Sequence, residues 1–153
     1  MALSATWSLN TTGFLELQWR ITSQELAILC QVATEHTFPP GTVIIVQGDM
    51  DEAMYLILEG WGRIVRTMAN QSPLDLARLG PLSSFGEMAF LTGCPRTASA
   101  TAETTVQALR FTRQRVKQLW TRDPQLVLNF YQILTRALTH SLSHADPSTS
   151  RLS

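Results

Sequence analysis

Glu87 and Arg96 flank a short, mostly apolar stretch within FGEMAFLTGCPR, residues 85–96, a segment too brief for an ordinary helix. Gly86 permits a sharp turn, and Glu87 to Leu91 predict one or two helical turns that Thr92 and Gly93 bring to an end. A turn of this kind aims several unpaired backbone N–H groups at one point, which suits an anion. Arg96, returning after Pro95, adds a planar fork matched to two exocyclic oxygens of a phosphate. Glu87 repels a phosphate and cannot hold it, but its carboxylate accepts a hydrogen bond from a neighbouring sugar hydroxyl.

A ligand with a phosphate and a ribose hydroxyl within a few ångströms of each other meets both demands. A cyclic nucleotide, whose phosphate is fused to the sugar, is such a ligand. An acid and an arginine at this separation also suit a plain structural ion pair. Elsewhere the chemistry is thin. His140 and His144 have a metal-binding spacing on a helix, but no acid or cysteine nearby completes a set, so no metal is expected. Cys30 and Cys94 are too few for a disulfide framework. The basic run Arg110, Arg113, Arg115, Lys117 and Arg122 has no aromatic interleaving and no helix-turn-helix beside it, and reads as a solvated face. No nucleophile stands beside a general base, so no enzymatic activity is expected.

Composition sets the frame. The 153 residues fit one domain, and a hydrophobic fraction of 44% builds a core without disulfides or metal. Twelve basic residues balance twelve acidic ones, so an anion must be captured locally rather than by a global field. The apolar runs, such as Ile44 to Val46 and Tyr55 to Leu58, fall far short of the roughly 20 residues of a membrane span. MALSATWSLN at the start lacks a basic region followed by a continuous apolar core, so no signal peptide is read and a cytoplasmic protein is expected.

The elements that must position Glu87 and Arg96 follow from periodicity. Thr22 and Glu25 form a capping box, and Leu26, Leu29, Cys30 and Ala33 recur at helical spacing, predicting a helix over about Ser23 to Glu35. From residue 38 the texture changes to short β-branched or aromatic runs broken by Gly, Pro, Asn and Asp. TVIIVQ, AMYLILE, GRIVRTM, LDLARLG, TASATAE and TVQALRF are the strand candidates, with turns at 49–52, 69–73 and 103–104. Gly41, Gly48 and Gly60 fall at strand ends. The helical pattern returns in TRQRVKQLW, and Asp123 followed by Pro124 supplies a stop, an N-cap and a proline at the first helical position. PQLVLNFYQILTRALTHSL predicts a last amphipathic helix, its broad apolar face including Leu126, Leu128, Phe130, Tyr131, Leu134, Leu138 and Leu142. The expected fold is therefore α+β: an antiparallel, jelly-roll-like β-roll with an N-terminal helix and two C-terminal helices. Residues 1–20 read as a loose lead-in, 21–144 as the domain and 145–153 as a disordered tail.

Phe85-Gly86-Glu87, Pro95-Arg96 and Thr97-Ala98 resemble the phosphate-binding cassette of cyclic nucleotide-binding domains, the family shared by catabolite activators, cyclic nucleotide-dependent kinases and cyclic nucleotide-gated channels. The resemblance extends to GTVIIVQGDMDEAMYLILEG, which matches the family's glycine-punctuated strands at Gly41, Gly48 and Gly60, and it covers roughly residues 23–143. One departure lies in GPLSSFGE, where Leu82 and Ser83 stand at a place the family often fills with a glycine and an acid. The resemblance implies that Arg96 pairs with the cyclic phosphate and that Glu87 accepts from the ribose 2′-hydroxyl. Gly86, Met88 and Ala89 then line the site through their backbone, and Thr97 and Ala98 contact the phosphate or base edge. Thr97 is compatible with cGMP through the guanine amino group and with cAMP, and the base stays open. Phe130, Tyr131, Leu134 and Leu138 are the candidates for a lid over the base.

The ligand so implied is regulatory, cAMP or cGMP, with no resident cofactor. Transcriptional relatives carry a helix-turn-helix after the long helix, whereas this chain ends about thirty residues past Trp120. The expectation is a receptor, bacterial in type, without a DNA-binding domain and without membrane contact. It signals through a protein effector, with the last helix as a contact for a homodimer. Two origins fit, a stand-alone receptor or a regulatory domain separated from a larger protein. The contrasting reading is a degenerate β-roll that serves protein contact or dimerisation and binds no nucleotide.

Overall fold

The computed structural model describes residues 22–81 and 83–144; side chains of Leu26 and of residues 137–144 are not described. The expected lead-in, the expected tail and Leu82 lie outside the described residues, as do the side chains of Leu138, Leu142, His140 and His144. The described elements run α1 (Ser23–Val32), β1 (Thr34–Phe38), β2 (Val43–Ile45), β3 (Met54–Glu59), β4 (Gly62–Arg66), β5 (Leu74–Leu79), β6 (Ser84–Phe85), α2 (Glu87–Thr92), β7 (Ser99–Ala102), β8 (Val106–Phe111), α3 (Arg113–Arg122) and α4 (Pro124–His144). They group into a strand unit, residues 35–110, and a helical unit, residues 22–34 with 111–144.

The strand unit is built from two four-stranded sheets, ordered β1-β8-β3-β6 and β2-β7-β4-β5. All six strands expected from β-branched and aromatic runs are present, and the fold is the expected α+β β-roll. Ile57, Phe85 and Val106 from one sheet and Ile45, Ile64, Ala100 and Ala102 from the other share one buried apolar cluster, so each sheet turns one face to a common core. The small residues Ala100 and Ala102 come from the alternating TASATAE run, whose polar partners face outward. Gly60 stands between β3 and β4 at φ 95°, where a Cβ would come within 2.0 Å of the Thr105 carbonyl oxygen. No other residue fits that turn.

Two strands escaped the sequence reading. TEHTF forms β1 where a continued helix was expected over Thr34 and Glu35, because α1 ends at Val32 and Ala33 is already extended at φ −91° and ψ 163°. β1 lies at the edge of its sheet and is mostly exposed, so it shows little hydrophobic alternation. β6 is only two residues long.

In the helical unit the predicted caps are present. The Thr22 hydroxyl accepts from the Glu25 N–H at 3.1 Å while Glu25 Oε1 accepts from the Thr22 N–H at 2.9 Å. Asp123 Oδ1 accepts from the Leu126 N–H at 3.1 Å, capping the helix that Pro124 begins. The buried residues of this unit include Leu29, Val32, Val116, Leu119, Val127, Phe130 and Ile133. The Phe111 and Phe130 rings stack with centroids 5.5 Å apart. Arg136 reaches Glu25 at 2.6 Å and ties α4 to α1.

Candidate ligand-binding site

The site begins with the way β6 feeds α2. Phe85 pairs with Tyr55 and Ser84 with Leu56 across the antiparallel β3–β6 ladder, and the Phe85 and Tyr55 rings stack at 5.2 Å. These contacts fix the chain just before it must reverse. Gly86 makes the reversal at φ 85°, and a Cβ there would lie 2.7 Å from Arg96 Nη1 and 2.8 Å from the Ala53 carbonyl oxygen. Glycine is thus demanded twice, by conformation and by space. The helix that follows ends at Gly93, φ 74°, whose N–H bonds to the Ala89 carbonyl at 2.8 Å.

The returning segment is pinned at Arg96. Its N–H donates to the Asp49 carbonyl at 2.8 Å, and its own carbonyl accepts from the Gly48 N–H at 2.9 Å. The guanidinium is turned inward and its side chain is only 2% exposed. Nη1 donates to the Gly86 carbonyl at 3.1 Å, and Nη2 donates to Asp51 Oδ2 at 3.1 Å and to the Ala53 carbonyl. Asp51 is shared, because its Oδ1 lies 3.6 Å from Nη2 of Arg110, whose Nε in turn donates to the Tyr55 hydroxyl at 3.2 Å.

Glu87 is buried beside this arrangement but does not pair with Arg96. Its Oε1 accepts from the Ser84 hydroxyl, and its Oε2 has no partner. Burial pushes its carboxyl above the usual carboxylate range, opposed by the Ser84 hydroxyl, by its own backbone N–H and by the charge of Arg96. Among the described residues, the buried side-chain polar atoms without a partner are Glu87 Oε2 and Arg96 Nε. An unspent acceptor and an unspent donor therefore fall on the two residues from which the sequence argument began.

Next to them opens a pocket. Phe85, Gly86, Met88, Ala89, Pro95, Arg96, Thr97 and Ala98 all line it, together with Ile45, Ile64, Ser99 and Ala100. Glu87 alone of the predicted cassette residues is not on the wall. Thr97 is exposed and Met88 half-exposed, while the Ser99 hydroxyl accepts from the Gln47 N–H at 2.9 Å. Of the lid candidates, Phe130 and Leu134 are buried in the helical unit and Tyr131 is 37% exposed.

Asp51 and Ser84 are the polar contributors that sequence reasoning missed. Asp51 sits in the acid-rich GDMDE turn and meets Arg96 across 45 positions, a separation no local periodicity reveals. Ser84 stands three positions before Glu87, but their meeting depends on the reversal at Gly86, so helical spacing is no guide.

Comparison with known proteins bears directly on this geometry. The model of the cyclic nucleotide-binding domain matches residues 35–123, more than half of the chain. The chain belongs to the cyclic nucleotide-binding domain family. It is 33% identical over 115 residues to the cyclic AMP receptor protein of Thermus thermophilus, covering 75% of this chain and 53% of that protein. It is 30% identical over 102 residues to the CRP-like cAMP-activated global transcriptional regulator of Mycobacterium tuberculosis, covering 66% of this chain and 45% of the regulator. A solved cyclic nucleotide-binding domain from Methylobacillus flagellatus superposes with a TM-score of 0.73 at 23% identity, over 94% of this chain and 82% of that one, which supports the fold. The chain spans about half the length of the curated relatives it matches.

These relatives correct the partner expectation. A receptor set apart from DNA and coupled to a protein effector was read from balanced charge and from the residues after Trp120, yet the matched relatives include cAMP-activated transcriptional regulators. Balanced charge within this chain says nothing of a partner met elsewhere in proteins of this kind, so the exclusion of DNA does not stand. No helix among the described residues is long and apolar enough to cross a membrane.

Proposed function

We propose that this chain is a cyclic nucleotide receptor domain whose role is regulatory and cytoplasmic rather than catalytic. The observation that carries the reading is the pair of unspent buried atoms, Glu87 Oε2 and Arg96 Nε, next to the pocket that the cassette residues line. A cyclic nucleotide supplies a complement to each: a 2′-hydroxyl that donates to the carboxylate, and a phosphate oxygen that accepts from the guanidinium. Phe85, Gly86, Met88, Ala89, Pro95, Thr97 and Ala98 surround the sugar and phosphate. The relatives are named for cAMP, which makes it the first ligand to test, with cGMP second because of Thr97.

Binding must rearrange what Arg96 already holds. Asp51 is an internal anion on Nη2 with a side chain 39% exposed, so it moves into water at little cost when a phosphate takes its place. Ordering of the cassette around the ligand then changes the conformation of α3 and α4. The names of the relatives make control of transcription the output to look for first.

The degenerate β-roll remains the second reading, favoured by the observation that both terminal nitrogens of Arg96 already have protein partners. Isothermal calorimetry on nucleotide-stripped protein separates the two. Micromolar or tighter binding of cAMP or cGMP is expected. Absence of heat with both, in protein shown to be folded, makes the cassette purely structural.

A further inference from the structure

We propose that Ser84 is a positioning residue for ligand, holding Oε1 of Glu87 so that Oε2 alone is left to receive the ribose hydroxyl. The inference rests on the receptor reading above and assigns a role to a residue outside the cassette. A carboxylate offers two equivalent oxygens, and a buried one with neither oxygen held can rotate and present its lone pairs in many directions. Here the Ser84 hydroxyl occupies one oxygen, and the other is left without a partner. The donor is itself fixed: Ser84 is paired opposite fully buried Leu56, and the Ser83 carbonyl accepts from the Ile57 N–H at 2.9 Å. The sheet therefore sets the serine, the serine sets the carboxylate plane, and Gly86 sets the turn between them.

The same bond favours the ionised form, the stronger acceptor for a sugar hydroxyl. Burial drives Glu87 towards protonation, and the Ser84 hydroxyl acts against this, followed by the backbone N–H of Glu87 and then by Arg96, the charged group that bears on it. Ser84 thus has two effects on one atom pair, orientation and charge, and both serve a ligand with a 2′-hydroxyl. A ligand without that hydroxyl makes no use of either.

The test compares the parent with Ser84→Ala and Ser84→Thr, each titrated calorimetrically with cAMP and with 2′-deoxy-cAMP, and with the cGMP pair if the parent prefers guanine. Ser84→Ala should bind the ribonucleotide about 5- to 30-fold more weakly, the loss of one charge-assisted hydrogen bond. It should bind the deoxy analogue within about twofold of the parent, the scatter of a neutral change. Ser84→Thr, which keeps the hydroxyl, should recover most of the loss. Equal loss on both ligands overturns the proposal, since it means that Ser84 only supports the fold, and so does no loss on either. A parent that binds no cyclic nucleotide removes the receptor reading itself, a failure visible before any variant is made. A ligand-free measurement closes the case independently: the Glu87 carboxyl carbon, followed by NMR, should titrate at higher pH in folded Ser84→Ala than in the parent, and an unchanged midpoint overturns the assigned bond.

Discussion

Replacing Gly86 by alanine should damage the site more than its small size suggests, and the effect divides into parts that can be separated. At φ 85° the alanine costs about 1–2 kcal/mol from its left-handed backbone alone. Its Cβ would then lie 2.8 Å from the Ala53 carbonyl oxygen and 2.7 Å from Arg96 Nη1. The carbonyl belongs to the chain entering β3 and is held in place, so the guanidinium must yield. In yielding it loses the 3.1 Å bond to the Gly86 carbonyl, a charge-assisted bond worth about 1.5–3 kcal/mol. The expected destabilisation is therefore about 2.5–5 kcal/mol, a large share of the 5–15 kcal/mol or so that a domain commonly has. Gly41→Ala is the control, because Gly41 has nearly the same φ, 86°, and a Cβ there meets nothing within 4 Å. It should lose only about 1–2 kcal/mol. Urea unfolding followed by tryptophan fluorescence measures both, and calorimetry should show weakened nucleotide binding in Gly86→Ala alone. A difference of less than about 1 kcal/mol between the two variants would refute the argument that Gly86 positions Arg96 through contact.

Arg96→Ala should abolish measurable cyclic nucleotide binding while also lowering stability by about 3–5 kcal/mol, since it strands two buried carbonyls and leaves a cavity; calorimetry on protein folded in the cold reads the first and urea unfolding the second. Glu87 should make binding weaken on the acid side. As pH falls through its raised pKa the carboxylate is lost as an acceptor, so cAMP affinity should drop while that of 2′-deoxy-cAMP stays level, in titrations run at several pH values. Its effect on folding has the opposite sense. An acid whose folded pKa exceeds its unfolded one stabilises the fold below the unfolded value, and that contribution is lost as pH rises through the folded value, so Glu87→Gln should flatten this part of the stability profile.

Much of the fold was legible because its signals are local. Thr22 with Glu25, and Asp123 with Pro124, announce helix starts through contacts three residues apart, and the structure places both caps as expected. The six expected strands were legible because their β-branched and aromatic runs are bounded by turn residues. β1 was not, because an edge strand with one partly buried aromatic carries little pattern. In the site, eight cassette residues line the pocket and the ninth, Glu87, is buried beside it, a grouping that local sequence carried as a motif. What supports them did not show, since Asp51 reaches Arg96 across 45 positions and Ile45 and Ile64 read only as members of strand candidates. Composition misled in one respect, because charge balance within a domain does not decide the company it keeps.

The two unmatched buried atoms also bear on how long the chain survives. Each carries a desolvation cost of about 1–3 kcal/mol that no protein partner offsets. A nucleotide that satisfies both removes those costs together, so the empty form is the one most often unfolded. In a cell that continually degrades unfolded chains, a shift of about 1–2 kcal/mol changes abundance several-fold. On the receptor reading proposed above, scarcity of the ligand then thins the population of its sensor and plenty preserves it, so the steady-state amount of the protein would carry a slow memory of past nucleotide levels.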